Sequence, residues 1–155
     1  MHGLAVVDLY AGSGALGIEA LSRGAVHATF VECEREALGC IRENIQQLKL
    51  EARTSVLALQ VEHAAKSLLE RGRSYDLVVC DPPWASVSEA AICLPKFAAG
   101  LNADARVVFE HPQGQAPRIE GFRQVDERSW GDTGISIFSL ESTSYTDRSA
   151  DESTQ

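Results

Sequence analysis

No apolar run in this chain approaches the length needed to span a bilayer, and no basic-then-apolar leader precedes its first apolar stretch. Neither a membrane anchor nor a secretory signal is therefore expected. Cysteine is scarce: Cys33, Cys40, Cys80 and Cys93 are the only four, and none pairs in a Cys-x-x-Cys. That argues against a disulfide framework or a zinc site, and for reduced, mostly packed thiols in a cytoplasmic protein. Basic residues are few, with 14 Lys and Arg against 22 Asp and Glu, and the net charge is −8. A broad phosphate-gripping face is hard to build from such a balance. Either the substrate is small or the elements that grip a nucleic acid lie elsewhere. What remains is an ordinary globular composition, 45% hydrophobic over 155 residues, enough for one domain with a substantial core.

Within that ordinary composition, a glycine loop stands out. Leu4 to Leu9 is apolar apart from Asp8, as expected of a parallel strand buried on both faces. Gly12-x-Gly14-x-x-Gly17 follows at once and opens a run of helix formers from Ala15 to Ser22. A strand, a glycine turn and a helix form the context of a nucleotide-binding fingerprint: the glycines admit the ligand close to the backbone, and the helix start presents free N–H groups. A second apolar strand, Ala28 to Val31, ends in Glu32, 20 residues after Gly12, where a carboxylate meets ribose hydroxyls. The expected cofactor-contacting residues are Asp8, Tyr10, Ala11, Gly12, Ser13, Gly14, Gly17, Glu32 and Cys33. Two cofactors fit such a loop, a dinucleotide or S-adenosylmethionine (SAM). Asp8 favours SAM, because a carboxylate there can hold a positive ammonium group, directly or through water, but repels a pyrophosphate.

A second motif, Asp81-Pro82-Pro83-Trp84, follows the apolar run Tyr75 to Cys80. Two prolines fix φ and remove two backbone donors. Ionised Asp81 can only accept hydrogen bonds, and Trp84 offers a flat apolar face. Together they suit a planar ring carrying an NH2 group. The amine donates to the carboxylate and to a carbonyl of the proline turn, and the indole stacks on the ring. By itself the tetrapeptide reads equally well as a plain turn after a core strand.

The remaining segments alternate. An amphipathic helix carries Leu38, Ile41, Ile45 and Leu48 at helical spacing; Thr54 to Val61 reads as a strand and Ala64 to Arg71 as a helix ended by Gly72. Glu89 to Ala99 reads as a further helix interrupted by Pro95, and Ala105 to Glu110, Phe122 to Asp126 and Ile135 to Leu140 as strands. Alternation of this kind predicts a mostly parallel α/β sheet with helices on both faces, and the last two strands predict an antiparallel hairpin. Residues 1–141 are expected to form one domain, and 142–155 a disordered polar tail. Trp130 is expected to pack under the final hairpin, His63 to lie on the surface, and His111 and Asn44 to be structural. Glu110 either approaches the site or pairs locally.

With both motifs in place, the chain resembles the RsmD family of bacterial rRNA methyltransferases over roughly Leu4 to Leu140. Asp8-Leu9-Tyr10-Ala11-Gly12-Ser13-Gly14-Ala15-Leu16-Gly17 is similar to that family's SAM loop, Phe30-Val31-Glu32 to its ribose-binding strand end, and Asn44 to its helix asparagine. Asp81-Pro82-Pro83-Trp84 resembles its catalytic loop, and Gly131-Asp132-Thr133 its late motif. The resemblance implies a Rossmann-like SAM-dependent methyltransferase fold of seven strands. It also implies methyl transfer to the exocyclic N2 of a guanine in 16S rRNA, with Asp81, Pro82, Pro83 and Trp84 catalytic. The expected partner is small-subunit ribosomal RNA or the assembling small subunit, approached by a cytoplasmic monomer with no metal and no membrane. Three departures stand beside it. Trp84 replaces a usual tyrosine, and the usual acidic contact to the adenine region is replaced near His63, with Glu62 beside it. Family members also carry a basic N-terminal segment with an Arg-Pro-Thr-like motif, which this chain is expected to lack. Competing readings are an amino-methyltransferase on DNA, protein or a small amine, a SAM-binding domain without activity, and, less favoured, a dinucleotide oxidoreductase.

Overall fold

The computed structural model describes residues 2–142. Seven strands form one sheet in the order β3-β2-β1-β4-β5-β7-β6. β1 (Ala5–Leu9), β2 (His27–Glu32), β3 (Thr54–Ala58), β4 (Tyr75–Cys80) and β5 (Leu101–Pro112) run parallel. β7 (Thr133–Leu140) pairs antiparallel with β5, and β6 (Phe122–Trp130) closes the edge as the antiparallel hairpin partner. β1 and β2 are buried almost throughout, as strands covered on both faces must be.

Two cores lie on opposite faces of the sheet. On one, Val6, Ala28 and Phe30 pack against α1 (Ala15–Ser22) and α2 (Arg35–Gln47) through Ala20, Leu21, Ile41 and Ile45. On the other, Val7, Leu9, Val78, Val107 and Phe109 meet α3 (Val61–Glu70), α4 (Val87–Cys93) and the 3-10 segment Leu94–Gly100. Alternation along each strand assigns its residues to one core or the other. α1 sits very close to the sheet. At Gly17 a Cβ would collide with the Phe30 ring and come within 3.2 Å of the Asp8 carboxylate, so only glycine allows this approach. The Arg53 guanidinium donates to Leu21 O (3.1 Å) in the last turn of α1 and to Ala25 O (2.5 Å) in the turn that follows.

The α/β class, the hairpin and helices on both faces agree with expectation. Several local readings are corrected. The third strand stops at Ala58, and Val61 opens α3 instead of closing the strand. Glu89 to Ala99 is not one helix: Pro95 lacks the N–H that an α-helix would need, and the chain tightens into 3-10 geometry from Leu94. Leu48 lies beyond the end of α2 and is exposed, so it does not belong to the buried stripe. Cys80 and Cys93 are packed, whereas Cys33 and Cys40 are exposed. Trp130 is 62% exposed rather than packed under the hairpin, because its rung with Thr133 is the last one before the turn. His63 is exposed and His111 is fully buried, its Nε2 2.8 Å from Ser136 Oγ, both as expected. Residues 143–155, most of the expected tail, lie outside the described residues. No helix among the described residues is long and apolar enough to cross a membrane.

Candidate active site

The chain winds outward from β1 through β2 to β3, then returns to place β4 on the other side of β1. Ligands of open α/β sheets bind where the strand order reverses in this way, outside the carboxyl ends of the strands. The loops leaving β1 and β4 face each other at that point, and both sequence motifs lie on them.

The glycine loop is held from below and from the side. Asp8 is buried at 1% exposure, and its Oδ2 accepts the N–H of Gly17 at 3.0 Å. Its Oδ1 is buried with no partner among the described residues. Burial drives the Asp8 carboxyl up to about 7; the Gly17 N–H opposes the shift, and the charges of Asp81 and Glu32 add to it. From β2, Glu32 binds the loop with both oxygens. Oε2 accepts the Gly12 N–H at 2.7 Å, and Oε1 accepts the N–H groups of Cys33 (2.8 Å) and Glu34 (2.9 Å). Asn44 of α2 donates to the Ser13 carbonyl at 3.0 Å, the structural role expected of it. Tyr10 turns the chain with φ +59°, a left-handed conformation unusual for a bulky residue and of a kind that clusters at ligand sites.

Two adjoining compartments lie over this floor. The smaller, of about 200 Å3, is lined by Tyr10, Val31, Glu32, Leu59, Gln60 and Glu62, among others. The larger, of about 520 Å3, runs from Gly12, Glu32 and Glu34 across to Asp81, Pro82 and Pro83. They share Tyr10, Glu32 and Cys33, so one elongated ligand can occupy both. Such a volume is within the ordinary range for small-molecule sites. At Gly12, with φ +57°, an added Cβ would meet nothing within 4 Å, so the glycine leaves open space over the loop.

On the β4 side, burial pushes the Asp81 carboxyl up from its ordinary value. Ser86 N–H donates to the Pro83 carbonyl at 2.7 Å, whereas no such bond among the described residues engages the Pro82 carbonyl. Pro82 is thus the turn residue with an acceptor to spare. Trp84 begins a 3-10 turn, Trp84–Ser86, is 51% exposed, and is not among the residues that line either compartment.

The expected residues therefore come together in part. Tyr10, Gly12, Glu32, Cys33, Asp81, Pro82 and Pro83 line the compartments; Ala11, Ser13 and Gly14 form the loop; Asp8 and Gly17 lie behind it. Asp8 does not reach the cleft surface and first serves the helix start. Leu59, Gln60 and Glu62 were not among the expected contacts. They follow β3, and the rule that ligands sit at carboxyl strand ends would have found them once that strand was ended at Ala58. Glu62 lines the smaller compartment, and His63 is not among its lining residues.

A protein-family model described as "Conserved hypothetical protein 95" matches residues 1–139. The chain belongs to this family. It is the RsmD family whose motifs the sequence resembles. "Putative rRNA methyltransferase YlbH" of Bacillus subtilis is 31% identical over 85% of this chain and 73% of its own length. "Ribosomal RNA small subunit methyltransferase D" of Buchnera aphidicola is 35% identical over half of this chain, but the match covers only 39% of that protein. A solved structure from Streptococcus pyogenes, described as a conserved hypothetical protein, superposes with a TM-score of 0.80 at 34% identity, covering 91% of this chain and 88% of the other. RsmD-family membership and the Rossmann-like fold thus rest on nearly all of the described residues.

Proposed function

We propose that this RsmD-family chain transfers a methyl group from SAM to the exocyclic N2 amine of a guanine in small-subunit ribosomal RNA. The observation that carries the reading is the cleft itself. A carboxylate-held glycine loop on β1 faces an Asp-Pro-Pro-Trp turn on β4 across one continuous ligand space.

The residues present fit SAM. No Lys, Arg or His lines either compartment among the described residues, whereas Glu32, Glu34, Glu62 and Asp81 do. Such a lining favours a cationic ligand and repels a pyrophosphate, which disfavours a dinucleotide. Glu32 keeps one acceptor site, on Oε2, beyond its three backbone bonds for a ribose hydroxyl, and the smaller compartment, with Val31, Leu59 and Val61, suits an adenine ring. When bound, SAM supplies a methyl group already activated by a positive sulfur.

The chain's own part is positioning. Asp81 and the Pro82 carbonyl accept the two N–H groups of the guanine amine. The nitrogen lone pair, otherwise delocalised into the ring, is thereby turned toward the methyl carbon. Trp84 stacks on the base and fixes its plane. The amine gains the methyl carbon as that carbon's bond to sulfur breaks, leaving S-adenosylhomocysteine, and loses a proton, for which Asp81 is the adjacent acceptor. The base reaches this pocket only when turned out of its RNA surroundings. An assembling small subunit in the cytoplasm is the fitting partner.

Tritium transfer from labelled SAM to small subunits lacking this methyl group, followed by nucleoside analysis, tests the reading. N2-methylguanosine is the expected product. Label on protein or a small amine, with none on RNA, would replace the substrate while keeping the loop chemistry.

A further inference from the structure

Glu110 lies on the strand next to β4, beside Asp81 and outside the residues that line the two compartments. The last parallel rung between β4 and β5 is Cys80–Phe109. The next residues are Asp81, the first past the end of β4, and Glu110, still within β5. Cys80 and Phe109 face the α3 and α4 core, and Val79 faces the opposite core. Alternation turns Asp81 and Glu110 the same way, from strands about 4.8 Å apart. Glu110 is half-buried and has no ion pair among the described residues. Burial and then the Asp81 charge push its carboxyl upward, partly offset by His111, so the two carboxylates feel each other. The His111 ring is spoken for by Ser136 and the Pro112 carbonyl and does not pair with Glu110.

We propose that Glu110 is a specificity residue of this site, accepting the ring N1–H of the target guanine while Asp81 and the Pro82 carbonyl hold its N2 amine. The inference rests on the guanine reading above. An amine on a flat ring does not by itself distinguish bases: adenine and cytosine carry one too, and an indole stacks on any of them. What marks guanine is that a ring N–H lies beside its amine on one edge. Adenine and cytosine put a lone pair there instead. An ionised carboxylate can only accept, so Glu110 rewards the donor and repels the lone pair. An acceptor just past β4 and another on the adjacent β5 match two donor groups on one edge of one base. The Asp-Pro-Pro-Trp turn then selects an aromatic amine, and Glu110 selects which ring bears it.

The test uses small subunits rebuilt with 2-aminopurine at the modified position. That base keeps the 2-amine but presents a bare ring nitrogen in place of N1–H. The wild type should prefer guanine in kcat/KM by roughly ten- to hundredfold, the discrimination a well-placed polar contact supplies. Glu110→Gln can donate as well as accept and should bring the two bases within about threefold of each other, mainly by slowing guanine. Glu110→Ala should lower the guanine rate and, with the repulsion of the bare ring nitrogen removed, raise that of 2-aminopurine. SAM affinity and melting temperature should stay at wild-type values in both variants. A wild-type preference retained in Glu110→Gln would overturn the inference and leave the guanine reading standing. No transfer by the wild type to either base would overturn the guanine reading and the inference with it.

Discussion

Replacing Asp8 with Asn should flatten the dependence of stability on pH. Asp8 is 1% exposed, so solvent screens it little, and its carboxyl rises from 3.8 to about 7 on folding. A carboxyl raised in this way holds its proton more tightly folded than unfolded. Between about pH 4 and pH 7 the native state therefore carries the extra proton, and stability falls as pH rises through that window. The rise of about three pKa units, at about 1.4 kcal/mol each, corresponds to about 4 kcal/mol in all, of which about 2–3 kcal/mol falls between pH 5 and pH 8. Asp81 and Glu110 are raised too and act with the same sign, but they remain in the variant and cancel in the comparison. Asn keeps an oxygen for the Gly17 N–H while removing the titration. Urea unfolding of both proteins at pH 5 and pH 8 measures the difference. A pH 5-to-8 loss that is equal in wild type and Asp8→Asn would refute the reasoning, because it would mean that the buried carboxyl does not titrate in that window.

Glu32→Gln should lower SAM affinity by about tenfold or more and cost roughly 1–3 kcal/mol of stability, since an amide nitrogen cannot accept the N–H groups now bound; calorimetric titration with SAM reads the first and urea unfolding the second. Tyr10→Phe removes a buried hydroxyl without a partner and should raise the melting temperature by roughly 2–4 °C; a fall of that size would show that the hydroxyl is satisfied in solution. Trp84→Ala should leave SAM affinity and stability near wild type, because the indole is half exposed, while raising KM for the RNA substrate by roughly five- to a hundredfold through lost stacking.

The site was legible in the sequence where chemistry depends on local order. The Gly12-x-Gly14-x-x-Gly17 loop needs strand, turn and helix in succession, and Glu32 needs only its spacing from that loop; both lie where those constraints put them. Pairing across the sheet was less legible. That Asp81 and Glu110 follow one rung is a property of register between strands nearly thirty residues apart, which no local pattern encodes. The exposed Trp130 was misread because an aromatic residue beside a hairpin usually packs, whereas this one lies on the last rung before the turn, where neighbours run out. Val61 was misassigned because an apolar residue fits a strand end and a helix start alike, and only the Gln60 cap position separates them. The bond that Asp8 makes to the Gly17 N–H was not legible, because burial depth and the close approach of α1 are invisible in a five-residue apolar stretch.

The central claim is tested most directly by comparing wild type and Asp81→Ala for tritium transfer from SAM to small ribosomal subunits lacking the methyl group, with SAM binding measured on both. The account predicts label on a guanine N2 with the wild type, loss of nearly all of it with Asp81→Ala, and equal SAM affinity. Full transfer by Asp81→Ala would contradict it, because the carboxylate that holds the amine would then be dispensable.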